Sequence, residues 1–279
     1  MNSSIIEARD LLSLLGSNTH VVLLDVRFAP GEPSRRDRYV AGHLPGAHYV
    51  DLPTELQSPA DGVRGARPLP AIDTLRELVH LWGIHPNSTV VVYSDDTHSA
   101  AARAWFVLRW AGIPDVRFLN GGLSAWIDAG GDVATDEPAV GGGTVQIEKT
   151  GHLPVIDADD IWNRVKRGVP VLDARTPAAF AGDLNDQRSG HIPGTISAPS
   201  SALLGSDGRL LPKSELRDRF AALSIERDQH VALYCGGGVA ASFAALALSE
   251  LGYQPELFVG SFSAWAADPN RPVEQSVHH

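Results

Sequence analysis

Cysteine is nearly missing from this chain: Cys235 is the sole one in 279 residues. An intramolecular disulfide is therefore excluded, and nothing calls for an oxidising compartment. Basic charge is also short, with 23 Lys and Arg against 33 Asp and Glu and a formal net charge of −10. Nucleic acid as a bulk partner demands concentrated Lys and Arg, so no nucleic acid is expected. A local basic pocket for a small anion is not excluded by net charge. No apolar run approaches the roughly 18 to 20 residues of a membrane helix, so no membrane partner is expected. The opening MNSSIIEARDLL carries acids and lacks a basic segment followed by an apolar core, unlike a secretory signal; the cytoplasm is the expected location. The 11 histidines are scattered and Cys235 has no neighbour at ligand spacing, so no metal site is expected. Neither a G-x-G-x-x-G after the first strand nor a G-x-x-x-x-G-K-[ST] occurs, and no cofactor is expected.

What the chain does have is a soluble globular composition, 43% hydrophobic and 20% charged, long enough for one large or two ordinary domains. It also repeats itself. VVLLDVR at 21–27 returns as VPVLDAR at 169–175, and AGHLPGA at 41–47 returns as SGHIPGT at 189–195. Asp25 and Asp173, like His43 and His191, stand 148 positions apart. STVVVYSDD at 88–96 matches QHVALYCGG at 229–237, and VRFLNGGLSAW at 116–126 matches PELFVGSFSAW at 255–265. Four landmarks in one order mean two copies of one domain.

Each copy reads as α/β. VVLLDV, TVVVY and VRFL are short, β-branched and almost continuously apolar, as parallel strands covered on both faces are. Helical stretches lie between them, at 71–82 and 100–110 in the first copy and 213–223 and 240–251 in the second, with Gly112 and Gly252 as helix stops. The expected fold is two domains, each a mainly parallel central sheet with helices on both faces. The expected spans are 5–136 for the first domain and 153–273 for the second, joined by a glycine-rich linker at 137–152.

In the second copy the strand at 231–234 ends on Cys235, Gly236, Gly237 and Gly238 form the turn, and a helix begins near Val239 or Ala240. Glycines let successive N–H groups curl inward, and the helix start adds a positive end. A sulfur there is expected to be stabilised as the thiolate and to be a nucleophile at neutral pH. The first copy has Ser94, Asp95 and Asp96 instead, two carboxylates that oppose an anion and a serine without an evident base, so that domain is expected to be catalytically silent. His98, four residues after Ser94, reads as a surface residue. His43 and His191 sit in a turn motif repeated in both copies, which points to structure rather than chemistry. Asp25 with Arg27, and Asp173 with Arg175, are expected to pair within each domain, and Trp126 and Trp265 to pack as core.

At these motifs, from about Ile5 to Val273, the chain resembles the tandem-domain sulfurtransferases of the rhodanese superfamily. That group comprises thiosulfate and 3-mercaptopyruvate sulfurtransferases. The resemblance rests on the LDxR strands, GHxPG in both copies, the YC loop and the GGLSAW and GSFSAW endings. It implies a silent first domain, a site at the domain interface, and a double displacement. In that reaction Cys235 takes a sulfane sulfur from a small-molecule donor, holds it as a persulfide, and hands it to a thiol or cyanide. Gly236, Gly237, Gly238, Val239 and Ala240 would bind substrate. Thiosulfate-type members read C-R-K-G-V-T here and mercaptopyruvate-type members C-G-S-G-V-T. This chain reads C-G-G-G-V-A, with no loop cation, no serine at 237 and no threonine at 240. Of the two arginines that hold the mercaptopyruvate carboxylate, the first position is Ala179 and Arg188 falls at the second, where it would bind substrate; a surface pairing with Asp183 or Asp186 is the equal alternative. From the first domain, the resemblance also suggests a role for His43 and Asp37. Two rivals remain. A Cys-based phosphatase would need C-x5-R, where this chain has Ala241. A non-catalytic rhodanese-like binding or regulatory module is the other alternative.

Overall fold

The computed structural model describes residues 3–32, 34–96, 98–226 and 229–276; the closing Val277–His279 lie outside them. The chain divides into two compact units. Unit 1 comprises Met1–Ser58 and Leu69–His152, and unit 2 comprises Pro59–Pro68 and Leu153–His279.

Unit 1 runs β1 (Ile5–Ile6), α1 (Ala8–Leu15), β2 (Val21–Arg27), α2 (Arg36–Ala41), β3 (His48–Asp51), α3 (Leu52–Glu55), α4 (Ile72–Leu81), β4 (Thr89–Tyr93), α5 (His98–Trp110), β5 (Val116–Leu119) and α6 (Gly122–Asp128). Unit 2 repeats the plan with β6 (Val155–Ile156), α7 (Ala158–Lys166), β7 (Val171–Asp173), α8 (Pro177–Ala181), β8 (Ile196–Ser197), a 3-10 turn at Ser200–Leu203, α9 (Lys213–Ala222), β9 (His230–Tyr234), α10 (Ala240–Glu250), β10 (Gln254–Phe258) and α11 (Ser261–Ala267). The sheets are ordered β1-β5-β4-β2-β3 and β6-β10-β9-β7-β8, and every pairing is parallel. This is the α/β plan expected from the sequence. The apolar runs of β2 and β4 are buried on both faces because helices cover the sheet from either side. α5 and α10 are Ala-rich and buried nearly all round, as helices wedged into a core must be.

The repeat extends to the buried polar groups. In the sheets Asp25 lies beside Tyr93 and Asp173 beside Tyr234. Arg27 Nε and Nη2 donate to the Asp25 carboxylate at 2.8 and 2.7 Å, and Nη2 also reaches the Gly42 carbonyl at 2.7 Å. Arg175 repeats this on Asp173, at 3.0 and 2.5 Å, and on the Gly190 carbonyl at 2.6 Å. The Tyr93 and Tyr234 hydroxyls accept the N–H groups of Leu44 and Ile192. Burial, helped by the adjacent carboxylates, pushes both phenols upward, so they stay neutral.

The glycine run expected to be a linker is not a free tether. Gly141 and Gly143 donate to the Leu81 and His80 carbonyls, Val145 to Ile84, and Ile147 is buried. A Cβ on Gly143 would stand 2.5 Å from the Ile84 nitrogen and the Val79 oxygen. These glycines permit close backbone contact with α4 and the turn after it, a role that composition alone does not separate from flexibility.

Asp173 is fully buried, and its charge is offset by Arg175. Replacing Arg175 with alanine leaves that carboxylate unpaired, with an expected loss of about 3–5 kcal/mol of stability, measurable as a lower urea midpoint.

Candidate active site

β9 delivers Cys235 to the end of the sheet, and the loop that follows is held by its carbonyls. The N–H groups of Phe262 and Ser263, in the first turn of α11, donate to the Cys235 and Gly236 carbonyls at 2.9 and 3.0 Å. The Ser242 hydroxyl takes the Gly238 carbonyl at 2.7 Å. In a planar trans peptide the N–H points opposite to the C=O. Pinning these three carbonyls therefore turns the Gly236, Gly237 and Val239 N–H groups the other way. Gly238 sits at φ +80°, a left-handed conformation that suits glycine, and its N–H donates to Cys235 Sγ at 3.0 Å. The side chain is only 2% exposed. The sulfur thus faces the hydrogen end of a peptide dipole in a place with little water. α10 begins at Ala240, directly after Val239, as expected.

Ser261 adds a contact that sequence reading missed. It is a non-glycine residue at φ +54°, and its hydroxyl accepts the Cys235 N–H at 3.2 Å while donating to the Phe258 carbonyl at 2.9 Å. That hydrogen is spent on Phe258, so Cys235 Sγ at 3.9 Å is a neighbour rather than a partner. The matching position in unit 1 is Gly122, at φ +57°. The second copy keeps a strained serine where glycine suffices, and strain of that kind clusters at functional sites. Comparing GGLSAW with GSFSAW was the signal that could have found it.

A second surprise comes from far upstream. Residues 59–68 belong to unit 2. The Ala66 N–H donates to Ser263 Oγ at 2.9 Å. A Cβ on Gly237 would stand 2.9 Å from Arg67 Nη1 and 3.4 Å from Ala66 Cβ. A guanidinium therefore lies against a loop that has no cation of its own.

The Arg188 guanidinium is engaged by main-chain carbonyls. Its Nε and Nη2 donate to the Ala266 carbonyl at 3.2 and 2.9 Å, Nη2 also to Asp268 at 2.8 Å, and Nη1 to Arg271 at 3.0 Å. The side chain caps the open carbonyls at and beyond the C-terminus of α11, a position that suits a cation. Asp186 takes only the Arg188 backbone N–H. Position in a loop gave the right residue type and the wrong partner. Ala179 is exposed in α8.

The histidines of the two turn motifs behave alike. His43 stacks on Tyr39 with centroids 3.8 Å apart, and its ring nitrogens face the Tyr39 and Asp136 carbonyls at 2.8 and 2.9 Å. His191 stacks on Phe180 at 3.7 Å, and its Nδ1 faces the Phe180 carbonyl at 2.9 Å. Each also pairs its backbone with the tail of its own unit, at Ala134 and Glu274. Both ring nitrogens of His43 are thus engaged by main-chain carbonyls. Asp37 is exposed on α2 and is not its partner.

The corresponding loop of unit 1 is filled with ion pairs. Asp95 meets Arg27 and Arg38 at 3.3 and 3.0 Å, and Asp96 meets Arg35 and Arg38 at 2.9 and 2.7 Å. Ser94 Oγ is buried and has no hydrogen-bond partner among the described residues, so no base activates it. His98 is not the surface residue expected: it is half-buried, edge-on to Phe118, and burial pushes it below its ordinary range. Trp126 and Trp265 are core, their indole N–H groups closing on the Asp132 and Pro272 carbonyls.

Comparison with known proteins agrees with the duplication. The family model described as "Rhodanese-like domain" matches residues 7–129 and 157–268. The chain is 40% identical over 275 residues to "Putative thiosulfate sulfurtransferase SseB" of Mycobacterium tuberculosis, covering 96% of each. It is 40% identical over 281 residues to "Probable 3-mercaptopyruvate sulfurtransferase" of Pseudomonas aeruginosa, covering 98% of each. Among solved structures, SseA from Escherichia coli, described as a 3-mercaptopyruvate sulfotransferase with the "Rhodanese" fold, is similar with a TM-score of 0.81 at 25% identity. That match covers 93% of this chain and 99% of the other.

Substitutions at two positions separate anchoring from chemistry. Arg188→Ala should lower stability by on the order of 2–3 kcal/mol, from lost charge-assisted bonds to carbonyls, while the KM for a carboxylate donor stays put in steady-state assays. Ser261→Gly relieves the left-handed strain and should be about 1 kcal/mol more stable than Ser261→Ala. Both should slow sulfur uptake several-fold, read by stopped-flow, because both remove the hydroxyl that fixes the Cys235 backbone.

Proposed function

The chain belongs to the rhodanese family and is a sulfurtransferase of the thiosulfate and 3-mercaptopyruvate type, and from that premise we propose that Cys235 is the residue that carries the sulfur. The observation behind this is the 3.0 Å hydrogen bond from the Gly238 N–H to Sγ, in a loop whose carbonyls are turned away. A backbone N–H donor at this position would also solvate the terminal sulfur anion of a persulfide.

The chemistry balances without a cofactor. The Cys235 thiolate attacks the outer sulfur of thiosulfate, the S–S bond of the donor breaks, and sulfite leaves with the electron pair. With 3-mercaptopyruvate the attack falls on the thiol sulfur and the C–S bond breaks. The thiol proton ends on the carbon, and pyruvate leaves. Either route gives Cys235–S–S⁻. An acceptor then attacks the terminal sulfur and regenerates the thiolate, cyanide leaving as thiocyanate and a thiolate leaving as its persulfide. Gly236, Gly237, Gly238, Val239 and Ala240 would bind the transferred sulfur through the backbone, since the loop offers no polar side chain. Unit 1 would be silent, its matching loop being occupied by ion pairs. We place the protein in the cytoplasm, where a lone thiol stays reduced; among the described residues no helix is long and apolar enough to cross a membrane.

After treatment with thiosulfate or 3-mercaptopyruvate, intact-mass spectrometry is expected to show one added sulfur on the wild type and none on Cys235→Ser, and turnover with cyanide should vanish in the variant. A wild-type thiol left unmodified by both donors would instead leave a binding module.

A further inference from the structure

Residues 59–68 bring a positive charge to a loop that carries none. Cys235–Ala240 reads CGGGVA, so no side chain within it can recognise charge on a donor. Thiosulfate and 3-mercaptopyruvate are both anions. An anion approaching a thiolate meets repulsion that grows as water is excluded, and a nearby cation offsets it.

The docking of this arm is built into the backbone. Asp61 and Gly65 pair their main chains, and the Asp61 carboxylate takes the Val63 and Arg64 N–H groups at 2.9 and 2.5 Å. Gly65 sits at φ +88°, and a Cβ there would fall 2.3 Å from the Gly260 carbonyl oxygen, so the closest approach admits only glycine. The next residue, Ala66, is tied to Ser263 Oγ, and Ser263 itself donates its N–H to the Gly236 carbonyl. One serine thus joins the arm to the cysteine loop. Arg67 follows at once, half-buried, with Pro68 buried behind it. Gly237 is the complement: its missing Cβ would stand 2.9 Å from Arg67 Nη1.

We infer that Arg67 is the residue that selects anionic sulfur donors, holding the carboxylate or sulfonate end while the sulfane sulfur faces Cys235. This rests on Cys235 being the sulfur carrier. Gly237 leaves the space that the guanidinium occupies.

The test uses two alkylating reagents of similar size, iodoacetate and iodoacetamide, which differ in charge. The ratio of their rates at Cys235 is expected to fall about tenfold in Arg67→Ala, the scale of one charge-assisted hydrogen bond. Arg67→Lys should recover part of it. Gly237→Ala, which puts a methyl group 2.9 Å from Nη1 and so displaces it, should shift the ratio the same way with the charge retained. In turnover, Arg67→Ala should raise KM for the anionic donors about tenfold and change kcat little. A rise for both donors, or for only one, supports the assignment and says whether carboxylate, sulfonate or both are read. An unchanged alkylation ratio in Arg67→Ala, with normal labelling by both reagents, overturns it. A wild-type Cys235 that takes up neither reagent and no sulfur would instead fail the sulfur-carrier reading, which keeps the two ideas separable.

Discussion

The arrangement around Cys235 depends on one constraint: the carbonyls of the cysteine loop are held by the start of α11 and by Ser242, so the N–H groups of those peptides are held facing the opposite way. The first N–H groups of a helix lack partners within it. In α11 two of them are satisfied by the Cys235 and Gly236 carbonyls. That exchange settles a helix end and orients a glycine loop together. Glycine is the residue least able to hold a conformation, each one costing roughly 0.5–1 kcal/mol of extra backbone entropy on ordering relative to alanine. A run of three would be a mobile turn if its carbonyls were unbound. Here the neighbours supply the rigidity that the loop sequence lacks.

The duplication shows what the second copy adds. Both units keep the Asp–Arg pair, the tyrosine under the turn and the stacked histidine, with the same partners. Those features are scaffold. The differences gather at the strand end: cysteine for serine, glycines for aspartates, and Ser261 for Gly122 at the same left-handed backbone. In unit 1 the aspartates draw three arginines onto the loop and fill it. In unit 2 the loop is stripped of side chains and the arginine arrives from another part of the chain. One backbone plan thus supports either a loop closed by ion pairs or a loop of glycines with an N–H donor aimed at a sulfur.

The fold was legible in the sequence because its strands are buried on both faces and so read as apolar blocks that recur in order. The two-residue strands β1, β6 and β8 were not legible, since two residues carry no period. Cys235 stood out through its rarity and its glycines. The carbonyl partners of Arg188, in place of Asp183 or Asp186, were not legible, because the carbonyls at the end of α11 come together with it only on folding. Arg67 was invisible for the same reason in reverse. Nothing in the local sequence RGARPLP says that it leaves unit 1, and only the fit of Gly65 against Gly260 places it beside Gly237.

An all-glycine cradle has a consequence for specificity. Backbone N–H groups recognise negative charge but carry no information about the rest of a donor, because every residue supplies the same group. A loop of this kind treats any transferable sulfur alike, and discrimination falls to side chains outside it. Those side chains must be brought in by segments whose register is fixed independently of the loop. The backbone pairing of Asp61 with Gly65 and the bond from Ala66 to Ser263 meet that requirement. Reactivity and selectivity then sit on different stretches of chain, joined through α11. They stay coupled at two points, the bridge through Ser263 and the contact of Gly237 with Arg67.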